Sequence, residues 1–189
     1  LGVRLVVVHG SRPQIDRRLA EADMASEFAD GRRVTPAKAM PLLQQAVGAQ
    51  RIELEALLSM GLPNSPMAGA NLKTGIGNFL TAQPLGVVDG LDYQFTGKIR
   101  RVDGEGIETL LDDSRIVLVS PLGFSPTGEV FNLEYKDVAG ATAEALGADK
   151  LILLGASDGI HDEDQSLIRQ ITAGDGARYQ PKEDRESQL

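Results

Sequence analysis

The chain has 189 residues, of which 42% are apolar and 24% charged, and it carries a formal net charge of −8. That is one globular domain's worth of sequence, long enough to bury a single good core. The acidic balance, the 4% aromatic share and the absence of Trp exclude a phosphate-gripping or base-stacking nucleic-acid surface. No cysteine is present, so disulfides, zinc–thiolate sites and thiol catalysis are excluded, and a reducing cytoplasm is the expected location. No apolar run approaches the ~18 residues needed to cross a bilayer, and no signal-peptide pattern opens the chain. It begins with Leu1 almost inside a strand, which predicts that sequence is missing upstream.

Residues 5–8 form a short aliphatic run and predict a buried parallel strand, as do 116–120 and 151–154. After His9-Gly10, Pro13 suits a first helical turn, with Ile15, Leu19 and Ala22 on one face. Thr35 and Pro36 read as the N-cap and first turn of a second helix, whose stripe is Met40, Leu43 and Val47. Pro41 is expected to kink that helix by removing an interior hydrogen bond. A further apolar set, Ile52, Leu54, Leu57 and Leu58, leads into the Gly- and Pro-rich stretch 61–69. From 79 to 102 the residues alternate as in antiparallel strands, with turns at Gly86 and Asp89-Gly90. A second hairpin is expected over 121–133 around Thr127-Gly128, and an Ala-rich helix over 138–146 is closed by Gly147. Strand–helix alternation interrupted by a β-hairpin insert predicts an α/β three-layer sandwich with a mainly parallel central sheet. The domain is expected over 1–178, and 179–189 is a polar, aperiodic tail.

Ligands of open α/β sheets gather at the carboxyl ends of parallel strands. That rule nominates the loops at 9–12, 32–35, 121–127 with 131–133, and 155–159. The first runs Val6-Val7-Val8-His9-Gly10-Ser11-Arg12-Pro13 and closely resembles the strand–loop–helix of acetylglutamate kinases and related amino acid kinases. The resemblance covers essentially the whole chain. In the kinases a glycine run follows the His and wraps the transferring phosphate. Here Gly10 stays, but Ser11 and Arg12 each add a Cβ that obstructs close backbone approach. Arg33-Val34-Thr35 matches the segment whose Arg grips the carboxylate of the acyl-amino acid, a task suited to a bidentate guanidinium.

Phe131-Asn132-Leu133-Glu134-Tyr135-Lys136 matches the segment bearing two Asn and the catalytic Asp. Asn132 remains, Glu134 replaces the second Asn, and Lys136 replaces the Asp; Asp137 falls on a different helix face and is a poor substitute. Phosphoryl transfer depends on positioning and charge neutralisation, so both losses are disabling. The run LLSMGLPNSPMAGA at 57–70 resembles a segment of the bacterial two-domain N-acetylglutamate synthases. So do Gly77-Asn78-Phe79, the residues at 86–93 and those at 125–133.

In that family a separate domain transfers acetyl from acetyl-CoA to glutamate, which opens arginine biosynthesis. The kinase-like domain binds arginine as feedback inhibitor and helps to build a homo-oligomer. The resemblance therefore implies a parent N-acetyltransferase whose acetyltransferase domain is absent from this sequence. It implies a non-catalytic, arginine-sensing piece with no cofactor of its own. Its ligand-binding residues, carried over from the family's amino-acid pocket, are Gly10, Ser11, Arg12, Arg33 and Asn132, with no catalytic residue and no metal ligand. The rivals are a true acetylglutamate kinase and a stand-alone arginine-binding module. His9 reads as structural rather than as a general base, and Asn132 as holding the turn before the Ala-rich helix. Lys136 reads as a surface charge, Asp158-Gly159 as a turn, and His161-Asp162-Glu163-Asp164 as a solvated turn rather than a metal site.

Overall fold

The computed structural model describes residues 3–60, 72–155, 159, 161–162 and 166–170, in two compact units, Leu1–Leu151 and Ile152–Leu189. In the first unit, β1 (Val6–Val8) leads into α1 (Arg12–Glu21). A hairpin of β2 (Glu27–Ala29) and β3 (Arg32–Val34) comes next, and a single 3₁₀ turn (Ala37–Ala39) then leads into α2 (Met40–Ser59). After the short β4 (Thr74–Gly75), β5 (Leu80–Pro84) pairs antiparallel with β8 (Gly97–Val102). A small hairpin of β6 (Val87–Val88) and β7 (Leu91–Asp92) interrupts them. The unit continues through α3 (Gly104–Asp112), β9 (Ile116–Val119), β10 (Leu122–Phe124), β11 (Val130–Asn132) and α4 (Tyr135–Ala145).

The strands form a parallel sheet in the order β1-β9-β4 and a mixed sheet in the order β11-β10-β5-β8. β1 lies in register with β9, Val7 opposite Leu118. Val117, Leu118 and Val119 are almost wholly buried, which is why this strand reads as an unbroken aliphatic run. One core packs Ile107 and Leu111 of α3 and Val138 of α4 against Leu80, Ala82, Val117 and Phe131 of the strands. A second joins α1 to α2 through Ile15, Leu19, Met40, Leu43 and Val47. Phe95 packs against both. Helices thus cover two faces of the strands in the expected α/β sandwich.

Close strand packing depends on glycine at particular points. A Cβ on Gly123 of β10 would stand 2.5 Å from Ala82 Cβ and 2.8 Å from Leu133 Cδ1. At Asp89-Gly90 both residues have positive φ (50° and 82°), as tight hairpins between twisted strands require.

Several expectations are corrected. Pro41 does not kink a helix, because α2 begins at Met40 and places Pro41 in its first turn, where the missing N–H has no intrahelical partner to lose. Thr35 is not an N-cap; it is wholly buried and forms a bridge to Gln94. The 32–35 stretch therefore ends a hairpin rather than feeding a helix directly. Ala22 is an exposed helix cap rather than part of the apolar face of α1. α4 starts at Tyr135, three residues before the expected 138, with Glu134 at its N-cap position. The run 151–154 is no buried strand. Its four residues adopt neither helix nor strand and are exposed, Leu154 by 90%. No ladder partner meets it among the described residues, and aliphatic composition does not make a strand without one. In the second unit, His161 bridges Leu167 antiparallel. The tail at 179–189 lies outside the described residues.

Candidate functional site

Three of the four nominated loops meet in one open cleft. Ser11, Arg12 and Ile15 enter it from the start of α1, Phe28, Arg32 and Arg33 from the β2–β3 hairpin, and Pro121 from the carboxyl end of β9. Thr96 lies on the approach to β8, and Asn132, Leu133, Glu134 and Tyr135 pass from β11 into α4. The fourth loop, 155–159, falls largely outside the described residues.

His9 lies at the end of β1 and is buried. Its Nδ1 is 3.2 Å from Ser11 Oγ and its Nε2 2.9 Å from Ser120 Oγ, so the ring ties the ends of β1 and β9 together. Burial pulls its pKa below the ordinary value, the Arg51 charge adds to this, and a backbone hydrogen bond at Gly10 opposes it. A neutral ring between two hydroxyls is a structural clasp, in agreement with the expectation.

Gly10 sits under Tyr135, whose ring lies 3.6 Å from where a Cβ on Gly10 would stand. Tyr135 thus takes up room beside the backbone that a phosphate would need in a glycine cradle.

Arg33 is the most constrained side chain of the cleft. Its side chain is 5% exposed, and one guanidinium nitrogen donates to Asp16 Oδ1 at 2.6 Å while the other donates to Ser26 Oγ. Ser26 in turn donates to the same Asp16 oxygen at 2.7 Å. The guanidinium carbon lies 4.5 Å from the centre of the Phe28 ring, and that of Arg12 lies 4.0 Å from it. Burial lowers the Arg33 pKa from its usual value and its hydrogen bond to Asp16 opposes the shift; the group stays charged. Neighbouring Arg32 pairs with Asp137 at 2.7 Å, and that bond raises its pKa. Asp137, although displaced from the position of the kinase acid, fastens the β2–β3 hairpin to α4.

Beneath the cleft runs a buried polar chain. Asn132 Nδ2 donates to Thr35 Oγ1 at 3.0 Å, Thr35 and Thr96 share a hydrogen bond of 2.9 Å between their hydroxyls, and Thr96 donates to the Arg33 carbonyl. Asn132 ends β11, with its backbone N–H donating to Phe95 O, and it joins strands rather than holding the turn that was expected. Glu134 is half-buried, and desolvation raises its pKa. Lys136 is exposed at the surface, its Nζ 5.9 Å from the Tyr135 ring centre.

The amino acid kinase family matches residues 1–184. The chain belongs to that family. Amino-acid acetyltransferases from Pseudomonas putida GB-1 and Pseudomonas fluorescens Pf0-1 are each 53% identical to it over 171 residues, 90% of this chain. The chain spans 40% of the length of those curated relatives. Among solved structures, N-acetylglutamate synthase from Neisseria gonorrhoeae complexed with coenzyme A and L-arginine superposes with a TM-score of 0.85. It is 35% identical, and the match covers 94% of this chain and 42% of that one. The protein smu.665 from Streptococcus mutans matches with a TM-score of 0.73 at 26% identity, over 85% of this chain and 63% of its own.

In this amino acid kinase domain Ser11, Arg12, Arg33 and Asn132 line one cleft, and Gly10 lies beside it under Tyr135. Asp16, Ser26, Phe28, Thr96 and the covering role of Tyr135 escaped the sequence reading. Asp30-Gly31 was an available hairpin signal for Phe28, since both residues adopt positive φ (47° and 72°). Asp16 lies four residues after Arg12, hence on the same helix face. Among the described residues no group of acidic or His side chains could hold a metal. Asp162 accepts the Ser166 N–H at 2.8 Å, which is a turn contact, while Asp158, Glu163 and Asp164 lie outside the described residues.

Proposed function

We propose that this amino acid kinase domain is the regulatory part of a cytoplasmic N-acetylglutamate synthase. In this reading it senses arginine, helps to build a homo-oligomer and carries out no phosphoryl transfer. Acetyl transfer from acetyl-CoA to glutamate takes place in a further domain, and this one needs no cofactor. The observation that carries the reading is the 53% identity to amino-acid acetyltransferases across 90% of the chain. The cleft supports it. Ser11 and Arg12 stand where the kinases keep glycines, Tyr135 covers Gly10, and Lys136 stands where an acid is needed to organise the charges of phosphoryl transfer.

The test uses the full-length protein. Acetylation of glutamate should depend on acetyl-CoA and fall as arginine is added, and Mg-ATP should give no binding heat at physiological concentration. ADP release dependent on N-acetylglutamate would replace this reading with the kinase. Acetyl transfer indifferent to arginine would remove the sensor role.

A further inference from the structure

We infer that Asp16 is a resident carboxylate of the cleft, occupying Arg33 as an acidic ligand would and so excluding small carboxylates from it. Arg33 is the buried guanidinium of this cleft, and its planar fork is suited to gripping a carboxylate. In this chain the grip is already closed. Asp16 accepts from one nitrogen at 2.6 Å, Ser26 accepts from the other, and Ser26 donates back to Asp16. The three groups form a ring of hydrogen bonds, and Phe28 lies against the guanidinium. Asp16 comes from α1 and Ser26 from the connection into the β2–β3 hairpin, so the ring also holds that hairpin to the helix. Of the other arginines in the cleft, Arg32 is engaged by Asp137 and Arg12 rests on Phe28.

A guanidinium satisfied by an intramolecular carboxylate gains little from an external one. The incoming anion must displace Asp16, leave that charge beside itself and lose its own translational freedom. Selection against acidic ligands is therefore built into α1 by one residue. This inference goes beyond the regulatory reading and does not depend on it, because arginine inhibition can be present or absent whichever way Arg33 behaves.

The experiment is titration of the full-length protein and its Asp16→Asn and Asp16→Ala variants with acetate and glutarate, followed by the side-chain NMR signals of Arg33. In the parent protein those signals should not move with either acid. In Asp16→Ala both acids should shift them in a saturable way, with affinity at least about tenfold above the parent, and Asp16→Asn should fall between. Arg33→Gln added to Asp16→Ala should abolish the gain. Arg33 signals that already respond to acetate in the parent would overturn the proposal, and that arm needs no variant to fold. A folded Asp16→Asn or Asp16→Ala protein that binds no better than the parent would also overturn it.

Discussion

His9 shows how far one residue can be taken from its surroundings. Burial lowers its folded-state pKa below the ordinary value of about 6.5. Between those two values the unfolded chain binds the proton and the folded chain does not. The His9 contribution to stability is therefore complete above about pH 6.5 and is lost as pH falls through the window below it. Thermal unfolding of the protein should show a declining midpoint from about pH 7 toward pH 5, and His9→Gln, which keeps hydrogen bonds without titrating, should flatten that decline. An unchanged slope in the variant would reassign the effect to other groups. Glu134 has the opposite sign: its raised pKa favours the folded state while it is protonated, an advantage lost as pH rises through the folded value. The residue scale is also where sequence reading reached furthest. Ser11, Arg12, Arg33 and Asn132 were found because a strand end, a charge and a motif mark them. Their partners carry weaker marks or none: Asp16 only its helical spacing from Arg12, Phe28 only the hairpin signal at Asp30-Gly31, and Thr96 nothing, since tertiary folding alone brings it within reach.

At the scale of elements, success followed burial pattern and turn chemistry. Residues 5–8 and 116–120 are dense in Val and other aliphatic residues and became β1 and β9. The same signal failed at 151–154, because the aliphatic run that a strand needs was present while no pairing neighbour meets it among the described residues. α3 escaped notice because Gly104 and Gly106 dilute its opening turn, although Asp103 caps it by accepting the Gly106 N–H. Two glycines make a test of what local structure demands. Gly123→Ala forces a methyl against Ala82 and Leu133 and should cost about 1–3 kcal/mol of stability. Gly48→Ala, inside α2 with nothing within 4 Å of the new Cβ, should instead gain about 0.5–1 kcal/mol. Chemical denaturation of both variants reads the two signs directly, and a stabilised Gly123→Ala would show that β5 and β10 are less tightly apposed than described.

The molecule as a whole was legible at its coarsest level. Strand–helix alternation gave the α/β sandwich, and a likeness spread over the entire chain gave the family. The division of the strands into a three-stranded parallel sheet and a four-stranded mixed one was not legible, because β10 pairs parallel with β5 only at Phe124 and Thr81. What stitches these pieces together around the cleft is the polar chain from Asn132 through Thr35 and Thr96 to the Arg33 carbonyl. Its protons have only one consistent order. Thr96 gives its proton to the carbonyl, so Thr35 must give its own to Thr96 and is left to accept from the amide. With both threonines almost fully buried, neither hydroxyl proton can trade with water until the hairpin lifts. Those two protons are therefore a clock: the rate at which their NMR signals exchange with solvent should time the opening of the cleft, and any ligand that holds it shut should slow them.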